Sequence, residues 1–246
     1  MIEKSHLATL LRRGRNLLFA VFLAGPGLLF ASCDSSPSGP SGFVDIGTND
    51  PGVVLASGDS VTYGIDSSDR NGYRRNLELL LAEQGKAVTV VNGGRPGTVS
   101  GSAYHLLNDL ARFQPAVVVL QFGVNDASVI SPNTAPGVVA NLRGMIYAVQ
   151  DNMSIAVLTT LTPTCGYRVE QNTIIGQINE GIRELALEFE EHPDFVLADV
   201  AAAFNEADPA GGGCSLISSA NFNHPNDAGY LLMATVIAEA MTDLSW

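Results

Sequence analysis

From residue 51 onward, short and nearly unbroken apolar runs alternate with longer amphipathic ones. VVLASG (53–58), AVTVVNGG (87–94), AVVVLQFG (116–123), SIAVLTTL (154–161) and FVLADV (195–200) are rich in β-branched residues and mostly close on glycine or polar residues. That is the pattern of parallel strands buried on both faces. Helical periodicity fills the intervals, at about 71–84, 101–112, 136–151, 171–191 and 226–243. It is clearest in IIGQINEGIRELALEFEEH, where Ile175, Ile178, Ile182 and Leu185 recur at helical spacing. Alternation of this kind predicts right-handed βαβ units and an α/β fold, a three-layer α/β/α sandwich with a central parallel sheet of about five strands. No internal repeat or second linker interrupts it, so residues 51–246 read as one domain.

Open parallel sheets bind ligands at the carboxyl ends of their strands, so the residues just after each run carry the functional information. The first run is followed by GDSVTYG, with Gly58, Asp59 and Ser60, and the second by NGGRPGT, with Gly97. The third leads into GVND, with Gly123, Asn125 and Asp126. The last predicted helix is preceded by NFNHPND, which brings His224. A serine, an imidazole and several hydrogen-bond donors on one rim suit acyl transfer. Serine is a weak nucleophile until a base takes its proton, and a neutral imidazole can do so near pH 7. The tetrahedral intermediate then needs fixed donors, each worth roughly 3 kcal/mol. Taken singly, each segment has a plainer reading: a capped turn at Gly58–Ser60, a glycine-shaped loop at 93–97, a turn or cap at Asn125 and Asp126. Their order, each just after a predicted strand, favours chemistry. No Lys-Ser/Thr follows the glycines, which argues against a phosphate-binding loop and a flavodoxin-like nucleotide binder.

These segments resemble the SGNH superfamily, the GDSL esterases and lipases. ASGDSVTYG is similar to its first block, VVNGGRPGT to its second, QFGVND to its third and NFNHPNDAGY to its last, together spanning about residues 51–240. The resemblance implies a three-layer flavodoxin-like sandwich with neither a metal nor an organic cofactor. It implies Ser60 as nucleophile, His224 as base, and Ser60, Gly97 and Asn125 as oxyanion donors; Gly97 is preferred to Gly94 because of its place in the second block. His6, His105 and His192 fall outside these blocks, His105 within a predicted helix and His192 at a helix end.

One position departs from the pattern. The family carries Asp three residues before the histidine, and here Asn221 stands there. A carboxylate fixes the imidazole tautomer and stabilises the imidazolium, and replacing it by an amide in a serine protease lowers kcat about 10⁴-fold. Three arrangements are open. Asn221 Oδ1 or a main-chain carbonyl orients His224 in a Ser–His pair; another carboxylate substitutes, with Asp199 and Asp227 as candidates; or hydrolysis has been lost and the domain binds ligands only. Asp227 has a simpler role as a first-turn acid, with Pro225 preparing the helix start.

The first 32 residues read as an export signal: a basic segment with Lys4, Arg12, Arg13 and Arg15, then an apolar run broken by Gly25, Pro26 and Gly27. FASC, ending in Cys33, resembles a bacterial lipobox, and residues 33–50 read as a Ser/Pro/Gly-rich tether. The expectation is an exported protein of the bacterial envelope or periplasm, anchored through lipidated Cys33. An ordinary cleaved signal is the alternative. Without residues 1–32 the chain keeps 9 basic and 24 acidic groups, a net charge of −15. Such a surface repels phosphate backbones and argues against nucleic-acid binding. The remaining cysteines, Cys165 and Cys214, are expected to pair in an oxidising compartment. No long hydrophobic lid segment is evident, which favours short acyl or acetyl esters over long-chain triglycerides. GYRR (72–75) resembles both carbohydrate acetyl esterases and lysophospholipase-like members, though Tyr73 also fits a helix start.

Overall fold

The computed structural model describes residues 43–128 and 134–246. The expected signal, Cys33 and most of the tether lie outside these residues. Five strands form one parallel sheet: β1 (Asp50–Gly58), β2 (Thr89–Gly94), β3 (Pro115–Gln121), β4 (Ile155–Thr159) and β5 (Phe195–Ala198). Their order is β2-β1-β3-β4-β5, with every neighbouring pair parallel. The reversal of order lies between β1 and β3, and the residues after these two strands meet at that crevice.

The helices are α1 (Ser60–Tyr63), α2 (Arg74–Glu83), α3 (His105–Phe113), α4 (Thr134–Asp151), α5 (Asn172–Glu188), α6 (Val200–Ala207) and α7 (Asp227–Ala240). Side chains of each strand point alternately to the two faces. Val54, Ala56, Val117, Val119 and Val157 pack under Leu77 and Leu81 of α2, Phe204 of α6, and Met233 and Ile237 of α7. Leu55, Val118, Leu120, Ala156 and Leu158 pack on the other face, against Leu110 of α3, Leu142 and Ile146 of α4, and Ile178 and Ile182 of α5. Every residue of β3 and β4 is buried, as continuous apolar runs require. The sandwich therefore has the three layers that the sequence pattern predicts.

Several boundaries differ from expectation. Among them, His105 is the first residue of α3 rather than an interior one, and α7 starts at Asp227, one residue later than the pattern predicts. The α7 cap is Asn226, whose side chain accepts from Gly229 N–H at 3.1 Å, while Pro225 bridges to Ile217 instead.

Cys165 and Cys214 are bonded, with Cα atoms 5.8 Å apart and a sequence separation of 49. The bond ties the segment after β4 to the connection that leads into α7. Closing a loop of that length contributes roughly 4 kcal/mol on the chain-entropy account. Replacing both cysteines by alanine is expected to lower Tm by on the order of 10 °C. Thermal unfolding of the oxidised protein and the double variant measures this, and a shift of only a degree or two would show that the crosslink contributes little.

Candidate active site

Gly58 ends β1 against the β3 backbone. A Cβ at Gly58 would collide with Thr62 Oγ1 and lie 2.6 Å from the Gln121 carbonyl, so the tight entry into α1 requires glycine. Asp59 caps α1 by accepting from Val61 N–H at 2.8 Å. This turn delivers Ser60 to the carboxyl rim of the sheet. His224 arrives from the connection before α7 and is buried. Its Nε2 lies 2.9 Å from Ser60 Oγ.

The expected orienting residue is somewhere else. Asn221 does not contact the imidazole; its Nδ2 donates to both carboxylate oxygens of Asp66, at 3.1 and 3.0 Å. Asp66 is what faces the ring, with Oδ2 at 3.3 Å from His224 Nδ1. The two carboxylates proposed from sequence are engaged elsewhere. Asp199 pairs with Arg183 at 2.7 Å and caps α6. Asp227 accepts from Ser68 N–H at 2.8 Å. With an ionised Asp66 accepting from Nδ1–H, Nε2 carries the lone pair and accepts from the Ser60 hydroxyl. Burial holds the His224 pKa below its ordinary 6.5, and the Asp66 charge and hydrogen bond oppose that effect. The imidazole is thus neutral at pH 7.

Three loops around Ser60 are locked together. Asn125 Nδ2 donates to Asp59 Oδ2 at 3.3 Å and to the Thr98 carbonyl at 3.0 Å. Asp126 accepts from the Ser100 N–H at 2.9 Å and from its hydroxyl at 2.8 Å. Arg95 forks onto Asp109 of α3 at 2.7 and 3.0 Å, fixing the loop after β2 from its other side. Gly97 sits at that loop's exposed crest with φ +81°, a conformation that favours glycine. Among the described residues the backbone N–H groups of Ser60 and Gly97 have no acceptor. Asn125 differs from them: both amide hydrogens already meet protein acceptors.

Asp59 is fully buried behind the serine. Desolvation, partly offset by the Val61 amide and reinforced by the Asp126 charge, pushes its pKa up to about 7. His105 packs near Phe122, with ring centroids 6.0 Å apart, and His192 lies 3.8 Å from Asp194; neither touches Ser60. The residue that sequence reading missed is Asp66. Its contact with His224 spans 158 positions and depends on a left-handed backbone at φ +68°, which no spacing rule announces.

A G-D-S-L family protein from Desulfitobacterium hafniense DCB-2 is similar in structure at a TM-score of 0.61 and 24% identity, over 77% of this chain and 99% of that one. A lipase/acylhydrolase from Enterococcus faecalis gives 0.62 and 22%, over 77% and 95%. A variant of an acetylxylan esterase from Geobacillus stearothermophilus gives 0.63 and 19%, over 78% and 95%. These likenesses establish the fold. Among curated proteins no sequence matches. Residues 56–232 match the GDSL-like Lipase/Acylhydrolase family, and the chain belongs to that family.

Proposed function

We propose that the protein is a serine carboxylester hydrolase acting on short-chain acyl or acetyl esters through an acyl-serine intermediate. The observation that carries this reading is the 2.9 Å contact between Ser60 Oγ and a neutral, buried His224 Nε2. As Ser60 Oγ bonds to the ester carbonyl carbon, its proton passes to His224 Nε2. The carbonyl oxygen takes the electron pair and receives hydrogen bonds from the N–H groups of Ser60 and Gly97. Asn125 joins them by turning one amide hydrogen away from the Thr98 carbonyl. Collapse breaks the bond to the alcohol oxygen, which leaves with the proton from Nε2. Water then attacks the acyl-serine while His224 takes its proton, the ester bond to Oγ breaks, and Oγ recovers the proton as the acid departs.

A carbohydrate O-acetyl ester is the second substrate reading, favoured by the structural likeness to an acetylxylan esterase. A ligand-binding protein on a disabled scaffold drew its support from Asn221, and the carboxylate of Asp66 beside His224 weighs against that reading. The basic N-terminal segment and Cys33 support export and lipid anchoring at a bacterial envelope as the setting for the activity.

With p-nitrophenyl acetate and butyrate, Ser60→Ala and His224→Ala are expected to lower turnover on the order of 10⁴-fold or more, and a fluorophosphonate should label Ser60 alone. Wild-type turnover equal to that of Ser60→Ala, with no labelling, would sink the proposal. Asn125→Ala is expected to lower kcat by about 10²–10³, and an unchanged kcat would remove its amide from the oxyanion site.

The pH profile carries a further prediction. kcat/KM falls as pH drops through about 7, where Asp59 takes a proton and Asn125 loses its charged acceptor. It falls again below 6.5, where His224 takes a proton and can no longer act as base. In Asn125→Ala only the lower step should remain, and a profile identical to wild type would break the link to Asp59.

A further inference from the structure

We propose that the acid of this site has moved from position 221 to position 66, so that Asp66 is the residue that positions His224 and Asn221 is the residue that positions Asp66. This rests on the hydrolase reading above and goes beyond it. The family resemblance places a carboxylate three residues before the histidine, and here that place holds an amide. The amide is not idle. Its Nδ2 donates to both oxygens of Asp66, and Asp66 Oδ2 meets the ring nitrogen that faces away from Ser60. A carboxylate only accepts and an NH₂ group only donates, so the charge stays on Asp66 and the imidazole keeps the tautomer that leaves Nε2 open to Ser60.

Both partners are braced from independent elements. Tyr230 of α7 donates its hydroxyl to the Ile65 carbonyl at 2.6 Å, and Asp227 of the same helix accepts from Ser68 N–H at 2.8 Å. Ser67 Oγ donates to the Gly64 carbonyl at 2.8 Å and accepts from Gly72 N–H at 3.0 Å. The buried Arg74 guanidinium reaches the carbonyls of Thr62, Tyr63 and Arg70. These contacts hold residues 64–70 in the shape that presents Asp66. On the other side Arg168 Nε donates to the Asn221 carbonyl at 3.0 Å, and Cys165 N–H donates to the Phe222 carbonyl at 2.7 Å beside the disulfide. The Asp66–Asn221 pair is the seam between two fixed loops, and His224 lies against it.

The competing account makes this pair a structural clasp with no part in the chemistry. Exchanging the two side chains separates the accounts, because the exchange preserves a clasp of one carboxylate and one amide. Asp66→Asn is expected to lower kcat by about 10²–10⁴ while KM stays within about threefold. Removing the carboxylate also disfavours imidazolium, so the His224 pKa, followed by imidazole NMR, should fall. In the exchanged variant, Asp66→Asn/Asn221→Asp, the carboxylate returns to the family's usual place, and both kcat and the imidazole pKa should recover, kcat at least tenfold over Asp66→Asn. Asn221→Asp alone should not raise kcat, because a charge is already present and two adjacent carboxylates must share a proton.

The proposal is overturned if Asp66→Asn keeps kcat within about threefold of wild type, or if Asn221→Asp alone raises it tenfold or more. If Asp66→Asn does not fold, the exchanged variant decides by itself. A kcat within about tenfold of wild type then supports the proposal, and a kcat no higher than that of His224→Ala overturns it. The NMR titration needs no substrate. Should wild type hydrolyse no ester while the imidazole pKa still falls in Asp66→Asn, the hydrolase reading fails and the pairing stands.

Discussion

Five strands running in one direction put every strand-to-helix connection on the same edge of the sheet. β1 lies between β2 and β3, so the loops after these three strands are immediate neighbours. That adjacency lets Asp59, Thr98, Ser100, Asn125 and Asp126 bond to one another across sequence separations of 26 to 66 residues. Reactive groups carried by separate loops would wander by more than a catalytic hydrogen bond tolerates. Here the loops are rooted in a core whose central strands are wholly buried, and they are then tied side to side. The backbone N–H groups of Ser60 and Gly97 are thereby held in place before any substrate arrives, as the proposed stabilisation of a developing charge requires.

A different problem falls on the histidine. Its burial disfavours imidazolium, yet the proposed reaction requires imidazolium to form for an instant. A nearby negative charge resolves the conflict, and electrostatics is indifferent to where in the chain that charge is encoded. Position 221 has the shorter path, since a residue three before the histidine shares its loop. Position 66 needs a second loop held at the right height, and the contacts from Tyr230, Asp227 and Arg74 meet that need. The amide at 221 then donates to both Asp66 oxygens, including Oδ1, which the imidazole does not reach.

What was legible in the sequence follows from range. The strand and helix pattern is local, set by runs such as AVVVLQFG and by the spacing of Ile175, Ile178 and Ile182, and the sandwich follows from it. That Ser60, Gly97, Asn125 and His224 lie on one rim was legible because each sits soon after a strand or just before a helix, where the topology itself delivers it. The disulfide could be named because only two cysteines follow Cys33. Asp66 was not legible. It lies in the connection between α1 and α2, not at a strand end, and it reaches His224 only because its own backbone is left-handed. The seam between Asp126 and Ser100 was hidden for the same reason: two short polar residues in separate loops carry no mark of facing each other. The start of α7 was placed one residue early, at 226, because Pro225 resembles a helix start while Asn226 is the actual cap.

Asp59 shows how stability and chemistry are traded in this site. A carboxyl group whose folded pKa is raised from 3.8 to about 7 favours the folded state most while it is protonated. That contribution is full below 3.8 and is lost as pH rises through about 7, so the ionised form at neutral pH is the less stable one. Only the ionised form, however, offers Oδ2 as a charged acceptor to the Asn125 amide while Oδ1 caps the turn that carries Ser60. A neutral amide at this position would place an NH₂ group opposite the NH₂ of Asn125, and an apolar side chain would leave the Val61 N–H and the Asn125 amide unpaired in a buried space. The carboxylate is therefore the group that fits the site at the pH where His224 is a free base, and the fold tolerates the cost because the surrounding core is large and continuous on both faces of the sheet.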